Sequence, residues 1–250
     1  SFVISEDALA AFTAQTGISV SIQTLGDTGT MVSEAILTAG NPLGDVMFGI
    51  DNTFLQRGLD ADLFEAYESA NLGGVRAGLD LDPEHRVTPI DFGDVCVNYW
   101  IDAVPHTIPT SLEDLTDPAN AGQLVVQSAE TSSPGLAFLL ATIAATPDWE
   151  QYWTDLVENG VSVTSGWEEA YYGEFVAGGG DRSMVVSYAS SPAAEVFFAV
   201  EPMDAPPTGV LLDSCFRQIE FAGVLAGAQN AAGAGAFIDF LLTPRFQEEI

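Results

Sequence analysis

The chain has 250 residues, 47% of them apolar, and sets 36 acidic side chains against six basic ones, all arginine, for a formal net charge of −30. That length buries a real core in one large or two modest domains, and no apolar run reaches membrane length. With no lysine and six arginines, a surface that grips a phosphate backbone is excluded, so no nucleic-acid partner is expected.

The acids are scattered rather than run in blocks, which makes a solvated acidic surface and not a tail. Salt would relieve its self-repulsion, which points to a marine or halophilic source. Beyond a Debye length of roughly 8 Å the net charge selects no ligand, so specificity falls to a few local carboxylates. No signal-peptide n-region and h-region is present, as in a cytoplasmic protein or a mature, trimmed one.

In chain order, Glu6 to Gln15 carries apolar residues at helical spacing, and Ile18 to Ile22 follows as a short alternating strand. Thr28 to Leu37 is a second helix that stops near Gly40. Asp45 to Ile50 is a buried strand delivering Asp51 and Asn52 at its carboxyl end, and Thr53 to Arg57 restarts a helix. Helix, strand, helix, strand is βαβ logic with a parallel sheet. Asn52 or Thr53 suits the N-cap of that helix, whereas Asp51, placed by the strand, suits pairing with a cation or an amino group.

Val95 to Tyr99 is strand-like, Asp102 to Pro109 breaks regular structure, and Pro109 to Ala121 opens a short helix capped by Thr110 or Ser111, with Glu113 near the capping-box position. Leu124 to Gln127 is a strand whose end leads through Thr131-Ser132-Ser133-Pro134-Gly135 into the apolar helix Leu136 to Ala145. Ser before Pro-Gly is a good cap, and free amides and hydroxyls there also make a polar or anionic binding corner. Asp148 to Asn159 is the next helix, with Trp149 and Trp153 on one core-facing side.

Gly166 to Pro192 concentrates the chemistry: GWEEAYYGEFVAGGGDRSMVVSYASSP. Met184 to Val186 is a buried strand, so Tyr188, Ala189, Ser190 and Ser191 leave its carboxyl end, where ligands gather in open α/β sheets. Helical spacing puts Trp167 and Tyr171 on one face. These rings are either ordinary core or, with the nearby hydroxyls, a wall for a flat, polar, cationic small molecule. A helical piece runs from Pro192 to about Val200, Met203 to Gly209 is irregular, and Leu212 to Leu225 is a strand before a small-residue helix, Ala226 to Ala236. There is no P-loop, GxSxG, HExxH or CxxC.

Asp51-Asn52 after a strand, Asp91-Phe92-Gly93, Thr131-Ser132-Ser133-Pro134-Gly135-Leu136, Gly166-Trp167-Glu168-Glu169-Ala170-Tyr171 and Ser187-Tyr188-Ala189-Ser190-Ser191-Pro192 together resemble the thiamine-binding periplasmic proteins of ABC importers. Phe240 to Gln247 is similar to the tail helix of the wider solute-binding family. The likeness runs through nearly the whole chain in the same order.

The resemblance implies an α/β, two-lobed periplasmic-binding-protein fold of class II, a venus flytrap with two interlobe crossing segments. Lobe 1 would be 1–95 plus 216–250, and lobe 2 would be 96–215. Thiamine or a thiamine phosphate would lie between them, held by Asp51 and Asn52 from the first lobe. From the second would come Ser132, Ser133, Trp167, Tyr171, Tyr188, Ala189, Ser190 and Ser191. No cofactor or metal is implied. The partner would be an ABC permease, the protein a monomer, and its location periplasmic or extracellular, a lipid anchor at the membrane surface being one form of this.

The chain departs from the family in carrying Ala193 and Ala194 where relatives have a second tyrosine. It also begins at a helix and ends before a C-terminal region that supplies a further Trp, as a fragment or a pocket open on one side would. In the implied architecture Cys96 and Cys215 lie on neighbouring crossing strands and pair as a disulfide, the alternative being two buried free thiols. Thiaminase-type enzymes share the fold and use a cysteine nucleophile. Cys96 is the candidate here, with Asp91, Asp94 or Glu220 near it, but an acidic surround raises a thiol pKa, so no enzyme is expected. Ferric-ion binding through Tyr171-Tyr172 and polyamine binding through carboxylates are the other readings within the superfamily, with His85 and His106 left in loops.

Overall fold

Caps and apolar spacing set the first elements of the computed structural model, which describes residues 4–248. Helix α1 (Glu6–Thr16) starts where Ser5 Oγ accepts the Ala8 amide at 2.9 Å and ends at Gly17, whose φ of 73° needs no Cβ. It is followed by α2 (Thr28–Leu37), β1 (Val46–Asp51), α3 (Leu55–Asp60), β2 (Phe64–Glu65), β3 (Thr88–Trp100), β4 (Leu124–Gln127), α4 (Ser133–Ala145) and α5 (Trp149–Glu158). Then come β5 (Ser162–Thr164), α6 (Trp167–Glu169), β6 (Met184–Tyr188), α7 (Ser191–Phe197), β7 (Thr208–Leu225), α8 (Ala231–Leu241) and α9 (Pro244–Gln247). No described helix is long and apolar enough to cross a membrane.

The chain divides into two compact units, Ser1–Phe92 with Ile219–Ile250, and Gly93–Gln218. The divisions fall three residues earlier on β3 and three later on β7 than the sequence reading puts them. Both strands contribute to both units.

In the first unit, Ala8 and Phe12 of α1 are buried with Ile90, Ala222, Val224, Ile238 and Leu241. Phe12 meets the rings of Phe237 and Phe240 at 5.2 and 5.4 Å. The parallel pairing expected here is not what forms. Strand β1 runs antiparallel to β7, with Asp51 opposite Glu220, and the two-residue β2 also pairs antiparallel with β7. The expected strand at Ile18 to Ile22 keeps its alternation, since Ile18 and Val20 pack on the core, but among the described residues it joins no ladder. The late strand β7 takes the place beside β1 that a local parallel neighbour was expected to fill.

In the second unit, β4 is parallel to both β5 and β6, and β6 is antiparallel to β3 with Cys96 opposite Ser187. Val95, Val97, Leu115, Val126, Phe138, Leu156, Met184 and Val186 form its main core. Gly135 is needed where α4 meets β4, because a Cβ there would stand 2.3 Å from the Gln127 carbonyl oxygen. At the amino ends of the parallel strands, the Arg182 guanidinium donates to the carbonyls of Gly122, Leu124 and Gly160 at 2.9–3.0 Å. It also pairs with Glu174 at 3.0 Å.

Two local expectations change. The 109–121 helix resolves into two short turns, Glu113–Thr116 and Pro118–Asn120. Asp114, not Glu113, closes the reciprocal cap, accepting the Thr110 and Ser111 amides while Ser111 Oγ accepts the Asp114 amide. Trp149 and Trp153 are not deep core. Tyr152 and Leu156 take that role, while Trp153 packs its edge on Phe138 and donates its indole N–H to Thr142 at 2.9 Å.

Candidate functional site

Because β4, β5 and β6 are parallel, their carboxyl ends face one side of the second unit, where Ser128, Ser165 and Ala189 begin the outgoing loops. The loops are tied together: Ser128 N donates to Thr164 O at 2.8 Å and Thr131 Oγ1 donates to Ser165 O at 2.6 Å.

Trp167 opens α6, which widens at once into a π-type turn over Ala170–Glu174, closed by Phe175 N donating to Ala170 O at 2.9 Å. Such a widened turn re-aims consecutive side chains and recurs at functional sites. Here it gathers rings. Trp167 stacks on Tyr171 with centroids 4.8 Å apart and planes 23° apart, while Tyr172 meets both rings edge-on at 5.4 Å. Tyr188, at the end of β6, lies 6.3 Å from Trp167. Tyr171 is buried, Trp167 and Tyr188 are partly exposed, and Tyr172 is open to solvent.

Hydroxyls line the same place. The Trp167 indole N–H donates to Ser187 Oγ at 2.9 Å, and Ser187 Oγ lies 2.9 Å from Ser191 Oγ. Tyr171 donates its hydroxyl to Glu195 Oε1. Burial, then the Glu195 bond and charge, push the Tyr171 phenol far above its ordinary value. Ala189 and Ser190 lie exposed in the turn before α7, and the Ala189 amide donates to Asp94 O at 2.8 Å. Ser132 and Ser133, at the start of α4, are buried, and their hydroxyls have no hydrogen-bond partner among the described residues. The first turn of that helix is therefore not capped by its own serines.

The first unit has a different chemistry. Asp51 is fully buried, and its Oδ1 accepts from Thr53 N at 3.2 Å, Thr53 Oγ1 at 2.7 Å and Phe54 N at 3.2 Å. Asn52 instead reaches to β7, where its Oδ1 accepts the Ile219 amide at 2.8 Å. The cap expected of Asn52 or Thr53 does not form: Asp51 Oδ1 holds the amides of the turn ahead of α3, and Asn52 stitches β1 to β7. Across the ladder from Asp51, burial pushes the Glu220 carboxyl up to about 8, with Asp91 and Asp51 adding to it. Burial likewise pushes Asp91 up to about 6.

Cys96 and Cys215 form a disulfide between β3 and β7, with Asp94 and Arg217 paired beside it. Cys96 therefore offers no thiolate for attack, which removes the nucleophile of the thiaminase reading. Among the described residues, no group of three or more His, Cys, Asp or Glu side chains is placed to hold a metal ion.

Ser187 and Glu195 are site-region residues absent from the sequence-based ligand set, and Glu220, named there only as an acid near Cys96, stands opposite Asp51. Glu195 was within reach of it, since it stands four residues after Ser191 on α7 and so shares its face. Ser187 sits inside the apolar run Met184 to Tyr188 and reads as strand interior.

An α/β chain with rings and hydroxyls gathered at the carboxyl ends of parallel strands has the features of a small-molecule binding protein. The sequence profile of bacterial extracellular solute-binding proteins matches residues 7–250, and the chain belongs to that family. It is a binding protein and not an enzyme. A thiamine-binding periplasmic protein of Escherichia coli strain K12 is 28% identical over 242 residues, 96% of this chain and 71% of that one. The protein of the same description from Brucella suis biovar 1 is 34% identical over 164 residues, 65% of this chain and 47% of the relative. A solved periplasmic thiamin binding protein superposes with a TM-score of 0.84 at 26% identity, covering 96% of this chain and 74% of that one. Iron-bound HitA from Pseudomonas aeruginosa, at 19% identity and a TM-score of 0.73 over 96% of this chain and 78% of that one, shares the fold.

Proposed function

We propose that this chain captures thiamine or a thiamine phosphate outside the cytoplasm, as a periplasmic monomer, and delivers it to an ABC permease. The observation that carries the reading is the Trp167–Tyr171 stack with its hydroxyl surround, in a chain whose relatives are described as thiamine-binding. Thiamine joins a permanently cationic thiazolium to a flat aminopyrimidine. It calls for aromatic faces, a carboxylate and hydrogen-bonding hydroxyls. Each cation–π contact contributes roughly 0.5–2 kcal/mol depending on desolvation, so the rings supply part of the affinity, and hydrogen bonds and buried apolar area supply the rest.

Asp51 and the aromatic set suit the cation and the ring, taken each on its own. The phosphorylated form finds support in the serine-lined start of α4, where helix amides and the buried Ser132 and Ser133 hydroxyls favour an anion. Ferric binding fits less well. It needs phenolates, whereas Tyr171 is held protonated by burial and by Glu195, and Tyr172 turns its ring edge-on to it.

Titrating intrinsic tryptophan fluorescence with thiamine, its mono- and diphosphate, spermidine and Fe(III) tests the reading. Saturable submicromolar binding of a thiamine form with at least about tenfold weaker response to the other two classes supports it. Tighter binding of spermidine or Fe(III) overturns it.

A further inference from the structure

The hydrogen bonds around Trp167 have a direction. An indole N–H only donates, so Ser187 Oγ is the acceptor at 2.9 Å. Ser187 Oγ lies 2.9 Å from Ser191 Oγ, and either hydroxyl fits as donor; with Ser187 donating, its proton continues the direction set by the indole. Ser191 also accepts the Tyr188 amide at 3.3 Å and turns its proton toward the Tyr171 oxygen. Tyr171, kept protonated by burial, donates onward to Glu195 Oε1. A carboxylate accepts without donating, so the two ends of the series are directed, Trp167 giving and Glu195 receiving, and a Ser187 proton on Ser191 joins them in one sense. The loop closes on itself, because Tyr171 also stacks beneath the Trp167 ring.

We propose that Glu195 is a positioning residue of the aromatic site: as terminal acceptor of the series Trp167, Ser187, Ser191, Tyr171, it fixes the tilt of the indole that a cationic aromatic ring meets. Glu195 lies on α7, partly exposed, outside the motif residues that carry the family likeness. Without it the Tyr171 proton has no acceptor and turns back on Ser191. The series reverses, and the Ser191 proton then crowds the indole N–H at Ser187 Oγ. A polar series of this kind is worth more than its separate bonds. The proposal deepens the thiamine reading and rests on it for the identity of the ligand.

The test uses the full chain, labelled with 15N, and follows the indole N–H resonance of Trp167, assigned by its loss in Trp167→Phe. Glu195→Ala shifts or broadens that resonance in the ligand-free protein, leaves the other three indole signals in place, and weakens thiamine about tenfold by calorimetry. Glu195→Gln, whose amide oxygen still accepts, restores the resonance and brings affinity within about threefold of the parent. An unchanged Trp167 resonance in Glu195→Ala overturns the proposal. So does a Gln variant as weak as the Ala variant with a parent-like resonance, since the carboxylate would then act on the ligand by its charge. Should the parent fail to bind thiamine, the ligand reading falls alone, and the ligand-free resonance still decides the part played by Glu195.

Discussion

Asp51 and Glu220 stand directly opposite each other on β1 and β7, two acids side by side in a place that burial has largely dried. Like charges at that spacing do not both ionise at ease, and the strain is lodged on Glu220, whose carboxyl is pushed up to about 8 by burial first and then by Asp91 and Asp51. Its folded value lies above the unfolded one. The stability it contributes is therefore complete below the ordinary carboxylate range and is lost as pH climbs through about 8, with Asp91 following the same sign through about 6. Glu220→Gln imitates the protonated form. The parent and variant are expected to melt together near about pH 5, and the variant higher by several degrees near about pH 9. Equal melting temperatures at both ends would show that Glu220 titrates normally.

Trp167→Ala is expected to weaken thiamine at least about tenfold, because one aromatic face and the Ser187 bond vanish together. For the first unit the informative change is Asp51→Asn, since an amide oxygen still accepts the Thr53 and Phe54 amides that Asp51 Oδ1 holds. It removes only the charge, and a loss of about tenfold is expected there as well. Calorimetric titrations that leave both variants at parental affinity would dismiss these residues as ligand contacts.

The Cys96–Cys215 bridge closes a loop of sequence separation 119. Cross-links over long loops restrict the unfolded chain most, so Cys96→Ser with Cys215→Ser is expected to cost about 2–5 kcal/mol in denaturant unfolding. Intact mass should rise by two hydrogens on reduction of the denatured parent. A mass that does not change would mean the thiols are free, and would reopen the case for Cys96 as a nucleophile.

A net charge of −30 on a lysine-free chain repels itself at low ionic strength. The melting temperature is expected to rise on going from about 10 mM to about 1 M salt, as the screening length shrinks from roughly 30 to 3 Å. A flat or falling curve would remove the argument for a salt-rich habitat.

Much of the second unit was legible because its signals are local. Val and Met runs mark β4 and β6, Pro-Gly marks the start of α4, and the four-residue spacing of Trp167 and Tyr171 put them on one face, where they stack. What stayed hidden depends on partners distant in sequence. No local pattern announces that β1 pairs with β7, far along the chain, nor that Asn52 answers Ile219. Asn52 was expected to cap α3 and instead holds β7 for the same reason. Propensity says that a cap belongs after the strand, but the backbone turn puts Phe54 at that position, and Asp51 serves the turn before it.

Arg182 spreads one guanidinium over three carbonyl oxygens at the entrance to β4, β5 and β6. All three meet Nη1 while Nε pairs with Glu174, a grip from two nitrogens at once that a single ammonium cannot copy, which gives a physical ground for finding arginine there in a chain that uses no lysine at all. The fastening also divides labour along the strands. One end is clamped in register, so the loops at the opposite end are free to vary in length and chemistry, and a new guest specificity can be written there without rethreading the sheet beneath.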